Sequence, residues 1–399
     1  MVNSVTKKIL QDYINEQIKD YPTPITGCDI QFDYLLAERD RLRKMNTIYI
    51  IPIEPIDQRY TKQWYDNIPL LLNEKIAEHS LEYCVETIDG VTVEDKTTSG
   101  AFLDFGKTNE YKASQTARVS ELFSKGLILP GDKFLITDAW NFIVTPIKYM
   151  SELLDIPVEI HGIWHAGAYD PTDILGLKMS KPWPHLQEKS WFMACDYNYY
   201  ATNFHKDIFL HNLEIPDIYH SKAIRSGQPH NPIVQQLQQY YYSPKRDTIM
   251  WPHRYNEDKQ PEIIENIDLS PYNIIVTQNL NLSKEDYYKT MGQARAVFSC
   301  ALHENLGISM MEGCLAGAIP IVPDRASYSE MYKDIFKYPS IWTESYGNYL
   351  EHKEELEDFV VELCDNYDIV KKEYLDEQVE VLTHNFLSAD IMFDNILEI

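Results

Sequence analysis

The chain has 399 residues, enough for two domains of ordinary size and too many for one compact core. With 44% hydrophobic and 24% charged residues, 21 Pro and 15 Gly, its composition is that of a globular protein, neither disordered nor fibrous. A formal charge of −25 argues against a protein that coats DNA or anionic membrane through a general basic surface, because phosphate binding depends on Lys and Arg displacing counterions.

The charge is unevenly placed. From Ser340 to Ile399 there are sixteen Asp/Glu and three Lys/Arg, so the last sixty residues carry −13 of the −25. The acidity belongs mostly to C-terminal helices and leaves room for a neutral or locally basic site elsewhere. Cys28, Cys84, Cys195, Cys300, Cys314 and Cys364 are scattered without a C-x-x-C pair, so neither a zinc site nor a disulfide framework is signalled. The start, Met1 to Lys8, leads into an amphipathic stretch rather than an apolar signal region, and no apolar run approaches the roughly 20 residues that span a bilayer. The expectation is a cytoplasmic protein, of a bacterium or of a virus-infected host cell, with no transmembrane segment.

In chain order, Ile9, Leu10, Tyr13, Ile14 and Ile18 form one helical stripe, and residues 1–45 are expected to be a helical extension. From Asn46 short apolar runs alternate with longer amphipathic ones. Thr47–Ile51 precedes a helical stretch near Lys62 to His79, Lys133–Thr137 precedes one near Pro146 to Leu154, and Val158–Ile160 leads into His161-Gly162-Ile163-Trp164-His165. The polar stretch closed by Pro244 reads as a joint, and a fresh series follows with strands at Thr248–Trp251, Asn273–Val276, Ala296–Ser299 and Ala318–Val322. Such alternation predicts parallel strands with crossover helices. The expected organisation is a first α/β domain over 46–243, a second over 244–378, and a C-terminal helix over 379–399 that returns to the first domain, with a ligand site in a cleft between two doubly wound halves.

The sharpest constellation is His303-Glu304-Asn305-Leu306-Gly307-Ile308-Ser309-Met310-Met311-Glu312. Glu304 follows an apolar strand, Gly307 permits a tight turn, and a helix-competent run begins at once. Glu312 then stands about 12 Å further along the helix axis. The free amides of Gly307, Ile308 and Ser309 suit a phosphate, and the two carboxylates suit sugar hydroxyls. Upstream, Arg254 and Lys259 follow the strand ending at Trp251, where a rigid fork and a mobile point charge can reach one diphosphate. Taken singly, these are ordinary residues: a helix-start acid, a solvated helix face, two surface cations. Their joint spacing is what points to a site.

That spacing, Arg254-x4-Lys259, then Glu304-x7-Glu312, Gly317-Ala318-Ile319-Pro320-Ile321-Val322 and Glu330, resembles the second half of retaining GT-B glycosyltransferases of the large family four type. Cys195 to Asn203 is similar to that family's last strand of the first domain. The resemblance implies a GT-B fold of two Rossmann-like domains and transfer of a hexose from a nucleotide sugar, UDP-glucose-like, to an acceptor hydroxyl. It implies that Arg254 and Lys259 bind the donor diphosphate, that Glu312 holds the ribose, that Glu304 contacts the transferred sugar, and that the amides from Leu306 through Gly307 and Ile308 to Ser309 complete the donor contacts. Glu330 would buttress the loop. No metal and no tightly bound cofactor is implied, because the departing phosphate accepts the acceptor's proton. The family also places a histidine at a strand exit of the first domain; His161 and His165 compete for it, and His165, followed by Ala166-Gly167, is preferred.

One departure is that Pro52 to Thr61 replaces the glycine-rich loop usual after the first strand, with Asp57 and Arg59 as contacts there. Asp104 to Asn109 resembles a phosphate loop only superficially and reads as an ordinary loop. Acceptor-side candidates are Arg59, His161, Asp170 and Lys206. Arg39, Arg41, Arg43 and Lys44 are interleaved with Glu38 and Asp40 and read as a solvated helix face. The acceptor stays open between a surface glycan, a lipid-linked sugar or small molecule, and a hydroxymethylated pyrimidine of viral DNA, the last suggested by 28 Tyr and a Lys-rich composition. Two other classes remain: a sugar-nucleotide epimerase on the same scaffold, and a non-catalytic glycan- or nucleic-acid-binding protein.

Overall fold

The computed structural model describes residues 44–56, 59–91, 104–179 and 181–399. The stripe from Ile9 to Ile18, Cys28, Arg39, Arg41, Arg43 and Asp57 lie outside the described residues. The chain forms two compact units: one takes in the described residues up to Trp164 with Leu186–Asn198 and Phe393–Ile399, the other His165–His185 and Tyr199–Met392.

The first sheet is built from β1 (Asn46–Ile51), β2 (Tyr83–Thr87), β3 (Lys133–Ile136), β4 (Glu159–Ile163), β5 (Tyr197–Tyr200) and β6 (Ala223–Arg225), in the order β2-β1-β3-β4-β5-β6. β1 pairs in parallel with β2 and β3, and β3 with β4. Parallel strands are covered on both faces, which is why β1 and β3 read as continuous runs of buried Ile, Tyr, Phe and Leu rather than as alternation. The helices Tyr60–Glu78, Lys107–Ser124 and Val144–Leu153 make the crossovers. Tyr197–Tyr200 is not the last strand of its sheet, as the sequence suggests: the short β6 follows it.

The second sheet holds β7 (Thr248–Trp251), β8 (Asn273–Val276), β9 (Ala296–Phe298), β10 (Ile319–Pro323) and β11 (Lys337–Tyr338), in the order β11-β10-β9-β7-β8, parallel throughout. Its core joins Trp251, Phe298, Ile321 and Tyr338 to Met310, Met311 and Cys314 of the Ile308–Leu315 helix. A Cβ on Gly313 would stand 2.4 Å from Val297 Cγ2, so this helix lies directly on β9. In each sheet the order reverses beside the first strand, between β1 and β3 and between β7 and β9. That reversal separates the two following connections and opens a crevice at the C-terminal strand ends, where ligands of doubly wound sheets bind.

Among the described residues Cys84, Cys195, Cys300, Cys314 and Cys364 are all buried. No helix among them is long and apolar enough to cross a membrane, and no three His, Cys, Asp or Glu side chains are grouped to hold a metal.

Candidate active site

The loop after β7 turns at once. Glu257–Lys259 forms a 3-10 turn closed by Gln260 at φ 51°, and Gln260 pins it by donating from Nε2 to the carbonyls of Cys300 and Thr343, at 2.6 and 2.7 Å. This turn carries Lys259 into the protein. Its amine lies 2.7 Å from Glu304 Oε1 and 2.8 Å from Asp258 Oδ2 and donates to the His303 carbonyl at 2.9 Å, which occupies all three of its protons. Burial opposes its charge, but Glu304 and Asp258 outweigh burial and hold its pKa above the usual lysine value. Lys259 is thus a locked charge, where the sequence suggests a mobile one. Arg254 is exposed and has no hydrogen bond or ion pair among the described residues.

The loop after β9 brings Glu304 to Lys259. Burial pushes the Glu304 carboxyl up, and Lys259 and His253 more than reverse this, so it stays ionised. His253 Nδ1 is 3.9 Å from Glu304 Oε1; burial and Lys259 push its imidazole down to about 4, so it is neutral near pH 7. Asn305 anchors the loop: its Nδ2 donates to the His165 carbonyl at 2.9 Å, and its own carbonyl accepts from Thr202 Oγ1 at 2.9 Å. Gly307 follows in the left-handed region at φ 71° and starts the Ile308–Leu315 helix, whose first amides, Ile308 and Ser309, have no acceptor within the helix. Glu312 faces inward rather than to solvent. It is 5% exposed and is held by Lys284 Nζ at 3.0 Å, Tyr288 Oη at 3.0 Å and Tyr287 Oη at 3.2 Å.

A third group of residues comes from the segment after β4. Asp170 is 1% exposed; its Oδ1 accepts from the amide and hydroxyl of Thr172, at 2.9 and 2.7 Å, and its Oδ2 lies 2.7 Å from His303 Nε2. Asp170 is therefore both the turn residue its Pro171 neighbour suggests and the counterion of His303. Burial works against the carboxylate, but His303 and the Thr172 bonds prevail and bring its pKa down to about 2. The imidazole of His303 is pushed down by burial and pulled up further by Asp170, so it is held protonated more firmly than an ordinary histidine. Asp173, three residues on, is raised to about 6 by burial, and it caps the Ile174–Lys178 helix by accepting from Leu175 N at 2.9 Å. His205 is fully buried, 2.5 Å from Tyr169 Oη, and brought down to about 3 by burial and by His165.

The second unit therefore gathers Lys259 with Glu304, places Glu312 on the following helix, and brings His165 to the Glu304 loop through its carbonyl. Leu306 is buried beside Gly307. Other candidates lie elsewhere. His161 is within β4, fully buried, 2.7 Å from Glu159 Oε1 and stacked on Tyr197, so it is not at a strand exit. Lys206 bonds locally to Asn203 Oδ1 at 3.1 Å. Arg59 directly precedes the Tyr60–Glu78 helix. Glu330 does not support the Glu304 loop: its carboxylate accepts from Phe204 N at 2.8 Å and Asn203 Nδ2 at 3.1 Å, capping the Asn203–Asn212 helix, because that helix start offers unpaired amides.

Sequence reasoning assigned no part to Asp258, His253, His303, Lys284, Tyr287 or Tyr288. Only the last three left a signal: Lys284, Tyr287 and Tyr288 stand at i, i+3 and i+4 on a helix capped by Ser283, which puts them on one face. It also missed a buried polar cluster in the first unit, at the exits of β1 and β3. There Glu54 accepts from Thr108 Oγ1 at 2.8 Å, and Lys112 Nζ pairs with Asp138 Oδ2 at 2.8 Å.

No protein-family model matches the chain. Over a stretch covering 21% of this chain and 30% of that protein, it is 27% identical to the tRNA-queuosine alpha-mannosyltransferase of Drosophila melanogaster, so the chain spans less than a third of the length of that relative. Among solved structures it is similar to TarM (TM-score 0.53, 9% identity, 89% of this chain and 99% of that one). It is similar to the catalytic domain of starch synthase IV from Arabidopsis thaliana bound to ADP and acarbose (TM-score 0.52, 11% identity, 89% of this chain and 100% of that one). A third likeness is to sucrose-phosphate synthase from Thermosynechococcus elongatus (TM-score 0.50, 10% identity, 84% of this chain and 96% of that one). The chain has the fold of these proteins, the GT-B fold with its two parallel-sheet α/β domains, as the family resemblance of its second half implied.

Proposed function

We propose that this chain, with its GT-B fold, is a glycosyltransferase that moves a hexose from a nucleotide-sugar donor to an acceptor hydroxyl with retention of anomeric configuration. The observation that carries the proposal is the meeting, at the sheet reversal between β7 and β9, of Lys259 with Glu304, followed by Glu312 on the helix that starts at Gly307. In this reading the unpartnered Arg254 and the charges of Lys259 and His303 stabilise the diphosphate as the bond from C1 of the sugar to its phosphate oxygen breaks. The acceptor oxygen bonds to C1 on the same face, and its proton passes to the departing phosphate oxygen. The amides from Leu306 to Ser309 meet the donor's phosphate and sugar, Glu304 meets hydroxyls of the transferred hexose, and Glu312, held by Lys284 and two tyrosines, meets the ribose. His165 lies at the sugar end. A UDP-hexose is the donor this reading favours, and no bound cofactor is called for.

The acceptor has two readings. A glycan, a lipid-linked sugar or a small molecule fits the transferase chemistry without further requirement, as does a hydroxymethylated pyrimidine if a local basic surface offsets the overall charge. A modified nucleoside of RNA is favoured by the similarity to the tRNA-queuosine enzyme. The test is a panel of nucleotide sugars, GDP-mannose and UDP-glucose among them, offered with oligosaccharides, hydroxymethylcytosine DNA and bulk tRNA, and read by mass spectrometry. One acceptor is expected to gain the mass of a hexose. Arg254→Ala and Glu312→Ala are each expected to slow that transfer by about 10²-fold or more; near-normal rates in both overturn the site assignment. Donor turnover with no acceptor would support the epimerase instead, and binding without release of nucleoside diphosphate would support a non-catalytic protein.

A further inference from the structure

A cavity lies in the same unit as the candidate site, at the other end of its sheet. It is an open depression of about 350 Å³ lined by Ser243, Lys245, Arg295, Tyr367, Asp368 and Lys371, together with Pro244. Lys245 precedes β7 and Arg295 directly precedes β9, so this cavity opens at the N-terminal strand ends, whereas Arg254 and Glu304 follow the C-terminal ends of the same strands.

Three cations face one small space in a chain of formal charge −25. Arg295 is balanced: it pairs with Asp247 at 3.0 Å and donates to the Cys364 carbonyl at 3.1 Å. The two lysines are not. Lys245 donates to the carbonyls of Gly292 at 2.7 Å and Ala316 at 3.5 Å, Lys371 donates to the carbonyl of Tyr241 at 2.9 Å, and neither has a carboxylate partner within 4 Å among the described residues. An ammonium has three protons, so one remains on Lys245 and two on Lys371. The carbonyls at Lys245 close the Lys284–Gln293 and Ile308–Leu315 helices, and helix C-termini attract a cation. That explains the position of Lys245; Lys371 reaches the same cavity over the rings of Tyr241, Tyr242 and Tyr367, from the start of a π-helical turn over Lys371–Leu375, a rare local geometry that recurs at functional sites. Burial outweighs Asp376 and Asp368 and lowers the pKa of Lys371, and burial and then Lys371 bring Lys245 down to about 7. Both lysines are half-buried, Lys245 over the Tyr367 ring, and two ammoniums with spare protons at one cavity and no carboxylate in contact among the described residues are an arrangement that an anion relieves.

We infer that this cavity is a binding site for a small phosphate-bearing anion, inorganic phosphate or a phosphate monoester, held by Lys245 and Lys371 beside the Tyr367 ring. The volume is at the small end of ligand cavities and suits a small metabolite. The site is separate from the proposed donor site and does not depend on the proposed activity.

The test reads Lys245 directly. Trace acetylation of the folded protein near pH 7.5, followed by peptide mass spectrometry, reports how much of each lysine is unprotonated and accessible, with the exposed Lys125 as internal reference. Inorganic phosphate should slow acetylation of Lys245 about three-fold or more relative to chloride at the same ionic strength, because a bound anion both covers the amine and restores its proton. The protection should persist in Arg254→Ala, which disables the proposed donor site, and vanish in Lys371→Met. Equal protection by phosphate and chloride in the wild-type protein overturns the inference whether or not the variants fold. Protection by a single-stranded RNA oligonucleotide but not by phosphate overturns it also, in favour of a nucleic-acid surface.

Discussion

Gly307 answers two demands at once. Its backbone lies at φ 71°, and a Cβ there would stand 2.6 Å from Cε1 of the buried Tyr328 ring. The left-handed conformation alone costs a residue with a side chain about 1–3 kcal/mol. The Tyr328 contact adds to this, because a ring buried to 1% exposure has little room to retreat. Gly307→Ala is therefore expected to lower stability in urea unfolding by more than the backbone penalty alone. In a double-mutant cycle with Tyr328→Ala, part of the loss, about 0.5–3 kcal/mol, should disappear as coupling. Purely additive changes would mean that the backbone angle carries the whole effect.

The Ile308–Leu315 helix shows what one element can position and what it cannot. It points Glu312 inward, but the partners of that carboxylate come from the Lys284–Gln293 helix, through Lys284, Tyr287 and Tyr288. Removing the Lys284 charge leaves a buried carboxylate with neutral donors only. Lys284→Met should therefore destabilise the protein by about 1–3 kcal/mol, and adding Glu312→Gln should recover most of that loss, since an uncharged amide needs no counterion. Failure of the second change to recover stability would show that the lysine acts through its packing over the two tyrosine rings. The same contrast explains how far the sequence could be read. β7 and β8 are found where their apolar runs put them, and the helix after Gly307 starts where the glycine predicts. β6 and β11 have three and two residues, too few for any periodicity, and exist only because a neighbouring strand pairs with them. Local spacing also placed Arg254, Lys259 and Glu304 after strand ends and Glu312 on the helix that follows. It carried no information on which side chains would meet across long separations, such as Asp170 with His303 or Lys259 with Glu304, and so gave no warning that Lys259 would be locked between two carboxylates.

Over the whole molecule two electrostatic effects oppose one another as the pH falls. The first is self-repulsion in a chain of formal charge −25, which acid relieves as carboxylates take up protons. The second is the group of buried histidines. Burial, the largest cause at each, pushes His253 down to about 4 and His205 and His230 down to about 3, from an unfolded value of 6.5. Between those values the unfolded chain binds protons that the folded one refuses, so stability is complete above about pH 6.5 and is lost as the pH drops toward 4. His303 acts in the opposite sense, because its folded pKa is raised: its contribution is complete below 6.5 and is lost only as the pH rises through that higher value. Exposed charges separated by more than about 8 Å are largely screened at physiological salt, whereas a buried imidazole is not, so the histidines should prevail. Thermal scans in 0.15 M salt, a strength at which that screening holds, should give a midpoint that is flat near neutrality and falls steadily from about pH 6.5 to pH 4.5. His205→Gln, which cannot take up a proton, should make that fall shallower if the variant folds. In the wild-type protein, a midpoint that stays level or rises over the same interval would mean that relief of the acidic surface outweighs the buried imidazoles.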